Sequence, residues 1–120
     1  MMNLYAKLRE LEETIKNNGP VMFKTPYKRV RKIVAIENGY IVYERGNGQR
    51  SKMDIDILYR DYFLLQGLGV LTSDDLRTFN AHYNNGKKPC DITTFMLLME
   101  YFYGCEFQRG RRGAPSVITW

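Results

Sequence analysis

Asn38-Gly39 stands between two runs rich in Val, Ile and Tyr, and it constrains the fold of this chain more than any other feature. Both positions tolerate positive φ, so the dipeptide suits the tight turn whose twist matches an antiparallel hairpin. Upstream, Tyr27 to Ile36 reads as a strand, and downstream Tyr40 to Arg45 reads as its partner. Gly46-Asn47-Gly48 closes the second strand, and a third, shorter one is expected from Gln49 to about Met53. A three-stranded antiparallel meander follows, and such a sheet needs one face covered to be stable.

Segments of helical spacing supply the cover. Leu4, Leu8, Leu11 and Ile15 recur every three to four residues, so residues 3–17 are expected to form an amphipathic helix. Asn17-Asn18-Gly19-Pro20 stops it. Ile55, Leu58, Tyr59, Tyr62 and Leu65 mark a second helix over 54–66, capped by Ser51 or Asp54 and broken at Gly67-Leu68-Gly69. Thr72-Ser73-Asp74-Asp75 is a capping-box pattern with Asp in place of Glu, and Leu71 and Leu76 are spaced as a hydrophobic staple. A short helix from Ser73 to about Phe79 is expected after it. Asn80 to Pro89 is polar and loop-like; a last helix runs from near Asp91 to Gly104, burying Phe95, Leu98, Met99 and Phe102. Short strands are expected around 105–108 and 117–120, with a Gly/Arg turn between them. The expected architecture is α+β in one domain over 1–120. It comprises an N-terminal helix, a three-stranded antiparallel meander, three following helices packed on the sheet, and short C-terminal strands.

Composition narrows the setting. An apolar fraction of 44% with 26% charged residues is that of a globular chain. No run approaches the roughly 18 apolar residues that cross a bilayer, and Met1 to Lys16 is charged throughout, unlike a signal peptide. Cys90 and Cys105 make neither a disulfide framework nor a paired metal motif, so a reduced, cytoplasmic location is expected, with no membrane partner.

The net charge of +5 is unevenly spread. Residues 21–60 hold nine basic and four acidic side chains; residues 61–100 hold three and five; residues 101–120 hold three and one. Lys24, Tyr27, Lys28, Arg29, Arg31 and Lys32 fall within nine residues without an acid among them. On a strand, Arg29 and Arg31 face one way while Lys28 and Lys32 face the other, which divides the patch. Arg45, Arg50 and Lys52 lie on the neighbouring strands, and Arg109, Arg111 and Arg112 make a flexible basic turn. Lys and Arg so arranged neutralise phosphates, and Tyr27, Tyr40 or Tyr43 could stack on bases. The competing explanation is that antiparallel sheets expose one polar face and that edge strands collect lysine against aggregation.

The sequence offers no catalytic constellation. Asp54 and Asp56 lie two apart beside Lys52, but an i,i+2 pair diverges on a helix, and capping explains them better than metal-dependent hydrolysis. His82 is the lone histidine, too few for a His-Asn nuclease, and with Cys90 and Cys105 it does not approach zinc-ligand spacing. Gly39-Tyr40-Ile41-Val42-Tyr43 lacks the order and spacing of a Gly-Ile-Tyr nuclease. Cys90 precedes a helix after Lys87-Lys88-Pro89 but has no base nearby in sequence. Gly46-Asn47-Gly48 joins strand to strand and is no phosphate loop. As a helix-turn-helix, the pair of helices across Gly67–Leu71 would present Asp74 and Asp75 to the duplex, and phosphates would repel them. No enzyme, cofactor or metal is expected. The expectation is a non-catalytic module contacting DNA or RNA through the meander and the Gly/Arg tail, as in an accessory factor of a phage, mobile element or defence system. The alternative is an interaction or inhibitor domain with an acidic protein partner.

Overall fold

The computed structural model describes residues 3–24, 30–46, 48–79, 83, 89–111 and 113–120, and gives the backbone alone at 24, 30 and 89. It divides between Asp56 and Ile57 into two compact units, each with its own sheet.

The first unit opens with α1 (Leu4–Asn18). Asn3 caps it by accepting the Ala6 N–H at 2.9 Å, and Gly19, at φ 84°, ends it by donating its N–H to the Ile15 carbonyl. Leu4, Leu8 and Leu11 are buried, the apolar stripe that the spacing implied, and the helix lies against the sheet at its second strand. That sheet has four antiparallel strands in sequence order, β1 (Val21–Lys24), β2 (Val30–Glu37), β3 (Tyr40–Glu44) and β4 (Arg50–Asp54). The expected meander is therefore present as β2–β3–β4, with β1 added along β2. Asn38 adopts φ 53° and Gly39 φ 81°, the conformations the hairpin turn demands. A bulge between Ile33 and Ala35 shifts the register once, so Ile33 pairs with Tyr43 and Ile36 with Ile41. One face of the sheet consequently presents Phe23, Ile33, Ile41, Tyr43 and Met53, all buried. Each such side chain contributes about 1.5–3 kcal/mol on leaving water.

The second unit is built on helices. Asp54 accepts the Asp56 N–H at 2.8 Å, capping α2 (Ile55–Leu68), which ends at Gly69 with φ 79°. The helix runs past Gly67, so Gly69 alone supplies the break. Next come β5 (Val70–Thr72) and α3 (Ser73–Phe79). The capping box is complete: Thr72 N–H donates to Asp75 Oδ2 and Asp75 N–H to Thr72 Oγ1, both at 3.0 Å. Its shorter acid still reaches back one turn. The strand β5 separates α2 from α3, which replaces the helix-turn-helix connection considered above. Most of the expected loop 80–89 lies outside the described residues; Tyr83 is buried and donates its hydroxyl to the buried Asp61. The last helix, α4 (Pro89–Tyr103), is buried from Ile92 through Met99 on almost every side except Thr93, as its nearly continuous apolar sequence requires. β6 (Glu106–Gln108) and β7 (Val117–Thr119) follow, near the expected positions. The small antiparallel sheet has the order β5–β7–β6, and Leu71, Ile118 and Phe107 share its inner face.

Candidate functional site

The described basic residues singled out by the sequence fall in two places, one in each unit. In the first, strand register sorts them. Lys32, Glu44 and Arg50 form one cross-strand row with Met22; Lys52 shares the next row with Val42 and Ala35; Glu37, Tyr40 and Asp54 make the third. Among the described side chains this outer face thus carries three cations and three carboxylates. Arg50 Nε lies 3.6 Å from Glu44 Oε2, and the Lys52 ammonium sits 5.7 Å from the centre of the Tyr40 ring. Arg31 turns to the opposite, core-facing side, where its guanidinium lies 5.4 Å from the centre of the Tyr43 ring. Tyr43 is fully buried, so it cannot stack on a base, which corrects the expectation for that residue. Arg45, at the end of β3, bonds through Nη2 to Gln49. The backbone of Lys24 ends β1. Tyr27, Lys28 and Arg29 lie outside the described residues, as do Arg112 and His82.

In the second unit the Gly/Arg turn is braced. Gly110 donates its N–H to Ser116 Oγ at 2.9 Å, Ala114 to the Arg111 carbonyl at 2.8 Å, and Ser73 to the Ser116 carbonyl at 2.9 Å. Ser116 N–H returns a bond to Ser73 Oγ at 3.2 Å. A Cβ on Gly110 would stand 2.3 Å from the Ala114 carbonyl oxygen, so only glycine permits this approach. These bonds join the turn to the start of α3. The described part of the turn is held at several points, in contrast to the flexible segment expected.

Together they border an open polar cleft of about 400 Å³. Arg77 from α3 and Arg109 and Arg111 from the turn line it, with the hydroxyl residues Ser73, Thr93 and Ser116. Asp74 is its one described carboxylate, 3.2 Å from Arg77 Nη1. Sequence reasoning found Arg109 and Arg111 but set Arg77 aside with a helix judged poor for reading DNA. Thr93 and Ser116 carried no signal, because their relevance depends on the β5–β7 pairing.

A second surface feature of this unit is aromatic. Tyr62 stacks on Tyr103 at 5.6 Å between ring centres, and Trp120 meets Tyr103 at 5.0 Å and Tyr62 at 5.9 Å. Phe63, 5.4 Å from Tyr62, is 62% exposed. Burial first, then the hydrogen bond with Tyr62, pushes the Tyr103 phenol well above its ordinary range. Burial likewise pushes the Cys105 thiol up, keeping it protonated and a poor nucleophile. Among the described residues no group of three or more His, Cys, Asp or Glu side chains could hold a metal, and no helix is long and apolar enough to cross a membrane. Comparison with protein-family profiles, curated proteins and solved structures gives no match.

Proposed function

We propose that this chain is a small, non-catalytic, cytoplasmic module that binds nucleic acid, gripping phosphate in the arginine-lined cleft of its second unit. One observation carries it: Arg77, Arg109 and Arg111 border a single polar cleft against one carboxylate. Guanidinium forks match phosphate oxygens, and hydroxyl groups add uncharged donors. The net charge of +5 draws polyanions from a distance, while the balanced outer face of the first sheet supplies field more than grip. Base identity is not expected to matter, since no aromatic side chain lines the cleft among the described residues.

Fluorescence anisotropy on labelled single-stranded DNA, duplex DNA and RNA tests this. Binding should fall steeply with salt, and the variant Arg109→Ala/Arg111→Ala should bind more weakly with a shallower salt dependence. Absence of binding to all three at low salt refutes the proposal. The exposed Phe63 beside Tyr62 and Trp120 favours one other use, a contact with a protein partner, and co-purification of one stoichiometric acidic protein would support it.

A further inference from the structure

The lining of the cleft selects among phosphates. Three arginines against Asp74 leave a net charge of +2, counted over its described residues. An internal phosphodiester brings one negative charge and two unesterified oxygens. A phosphomonoester brings three such oxygens and, above its second pKa near 6, close to two charges. Three guanidinium forks and a +2 lining fit the monoester better on both counts.

The hydroxyls agree. Ser73 Oγ accepts the Ser116 N–H and Ser116 Oγ accepts the Gly110 N–H, so each hydroxyl keeps its own hydrogen to donate. Both are held in place by the braces that shape the turn. The space, about 400 Å³ and open to solvent, is at the small end of ligand pockets and is ample for one phosphate group. Among its described residues there is no aromatic side chain on which a base could stack.

Resting on the nucleic-acid reading above, we infer that the cleft takes the terminal phosphate of a nucleic-acid strand. It then recognises strand ends by their charge and not by their sequence. The test compares one oligonucleotide carrying a 5′-phosphate, a 3′-phosphate or hydroxyls at both ends, by anisotropy at pH 7.5 and pH 5.5. One phosphorylated form should bind about tenfold tighter than the hydroxyl form at pH 7.5, the worth of one charge-assisted contact set. That gap should shrink at pH 5.5, where the phosphate is mostly monoanionic. Arg77→Ala and, separately, Arg111→Ala should each close the gap, whereas Lys32→Ala/Lys52→Ala should leave it intact. Equal affinity for all three ends at pH 7.5 overturns end recognition and leaves general nucleic-acid binding standing; no binding to any overturns both. Competition by AMP as strong as by the phosphorylated oligonucleotide would assign the cleft to free nucleotides and overturn the strand-end assignment.

Discussion

The outer face of the first sheet and the cleft of the second unit are both rich in basic side chains, yet they differ in what surrounds each cation. On the sheet, Lys32, Arg50 and Lys52 are interleaved with Glu37, Glu44 and Asp54 across paired strands. The described lining of the cleft holds three arginines and one aspartate, which pairs with Arg77. The sheet holds more of the basic sequence, and the described lining of the cleft has the larger formal excess of cations over carboxylates. A count of residues along the chain cannot see this, because it is register that decides which acids stand beside which bases. A surface of alternating sign gives solubility, whereas a concave surface of one sign concentrates a counter-ion.

The sharpest way to break this contrast is to remove the cations on each side in turn. Arg109→Ala/Arg111→Ala should weaken oligonucleotide binding by at least about 100-fold at low salt, from two charge-assisted contacts of roughly 1.5 kcal/mol or more each. Lys32→Ala/Lys52→Ala should weaken it by less than about threefold, as screened surface charges do. Equal losses in the two variants would erase the distinction. Shape is separated from charge by Gly110→Ala, which keeps every arginine but drives a methyl into the Ala114 backbone. Urea denaturation should show a loss of about 1–3 kcal/mol, with binding reduced in the protein that remains folded. Arg31→Ala addresses a cation on the core-facing side of the sheet. Its loss from the Tyr43 ring should cost about 0.5–2 kcal/mol of stability and leave oligonucleotide affinity unchanged. The smallest effect is expected from Glu44→Gln, which removes the partner of Arg50. Thermal melting should register less than about 1 kcal/mol, since surface pairs contribute little. Affinity should rise slightly as the face turns net positive.

Local chemistry made most of the fold legible. Asn38-Gly39 fixed one hairpin, Thr72 and Asp75 announced a helix start, and Leu4, Leu8 and Leu11 declared the buried side of α1. What stayed hidden were β1 and β5, two short strands whose identity depends on a partner. Val70-Leu71-Thr72 becomes a strand only because Thr119, Ile118 and Val117 lie beside it. Half of the site was hidden for the same reason. Arg109 and Arg111 stood out in a glycine-rich turn, but Arg77 belongs with them through the bonds between Ser73 and Ser116, far apart in sequence. Tyr43 was misjudged because strand alternation tells which residues share a side, and burial tells which side is covered. Spacing supplies the first and not the second.

The order β5–β7–β6 bears on how the cleft comes into being. β7 is the middle strand, both of its neighbours precede it in the chain, and those neighbours do not pair with each other. β6 and β7 can close a local hairpin, but β5 gains its partner only when β7 docks on it. Docking of residues 117–119 closes a long stretch of chain, the entropically costly kind of contact that slows folding. During synthesis Arg109 and Arg111 leave the ribosome before the strand that orders them, so their charge precedes their geometry. On the proposed reading, the grip on an anion waits for β7 to dock. Amide hydrogen exchange at Val117–Thr119 therefore reports directly on whether the cleft is assembled.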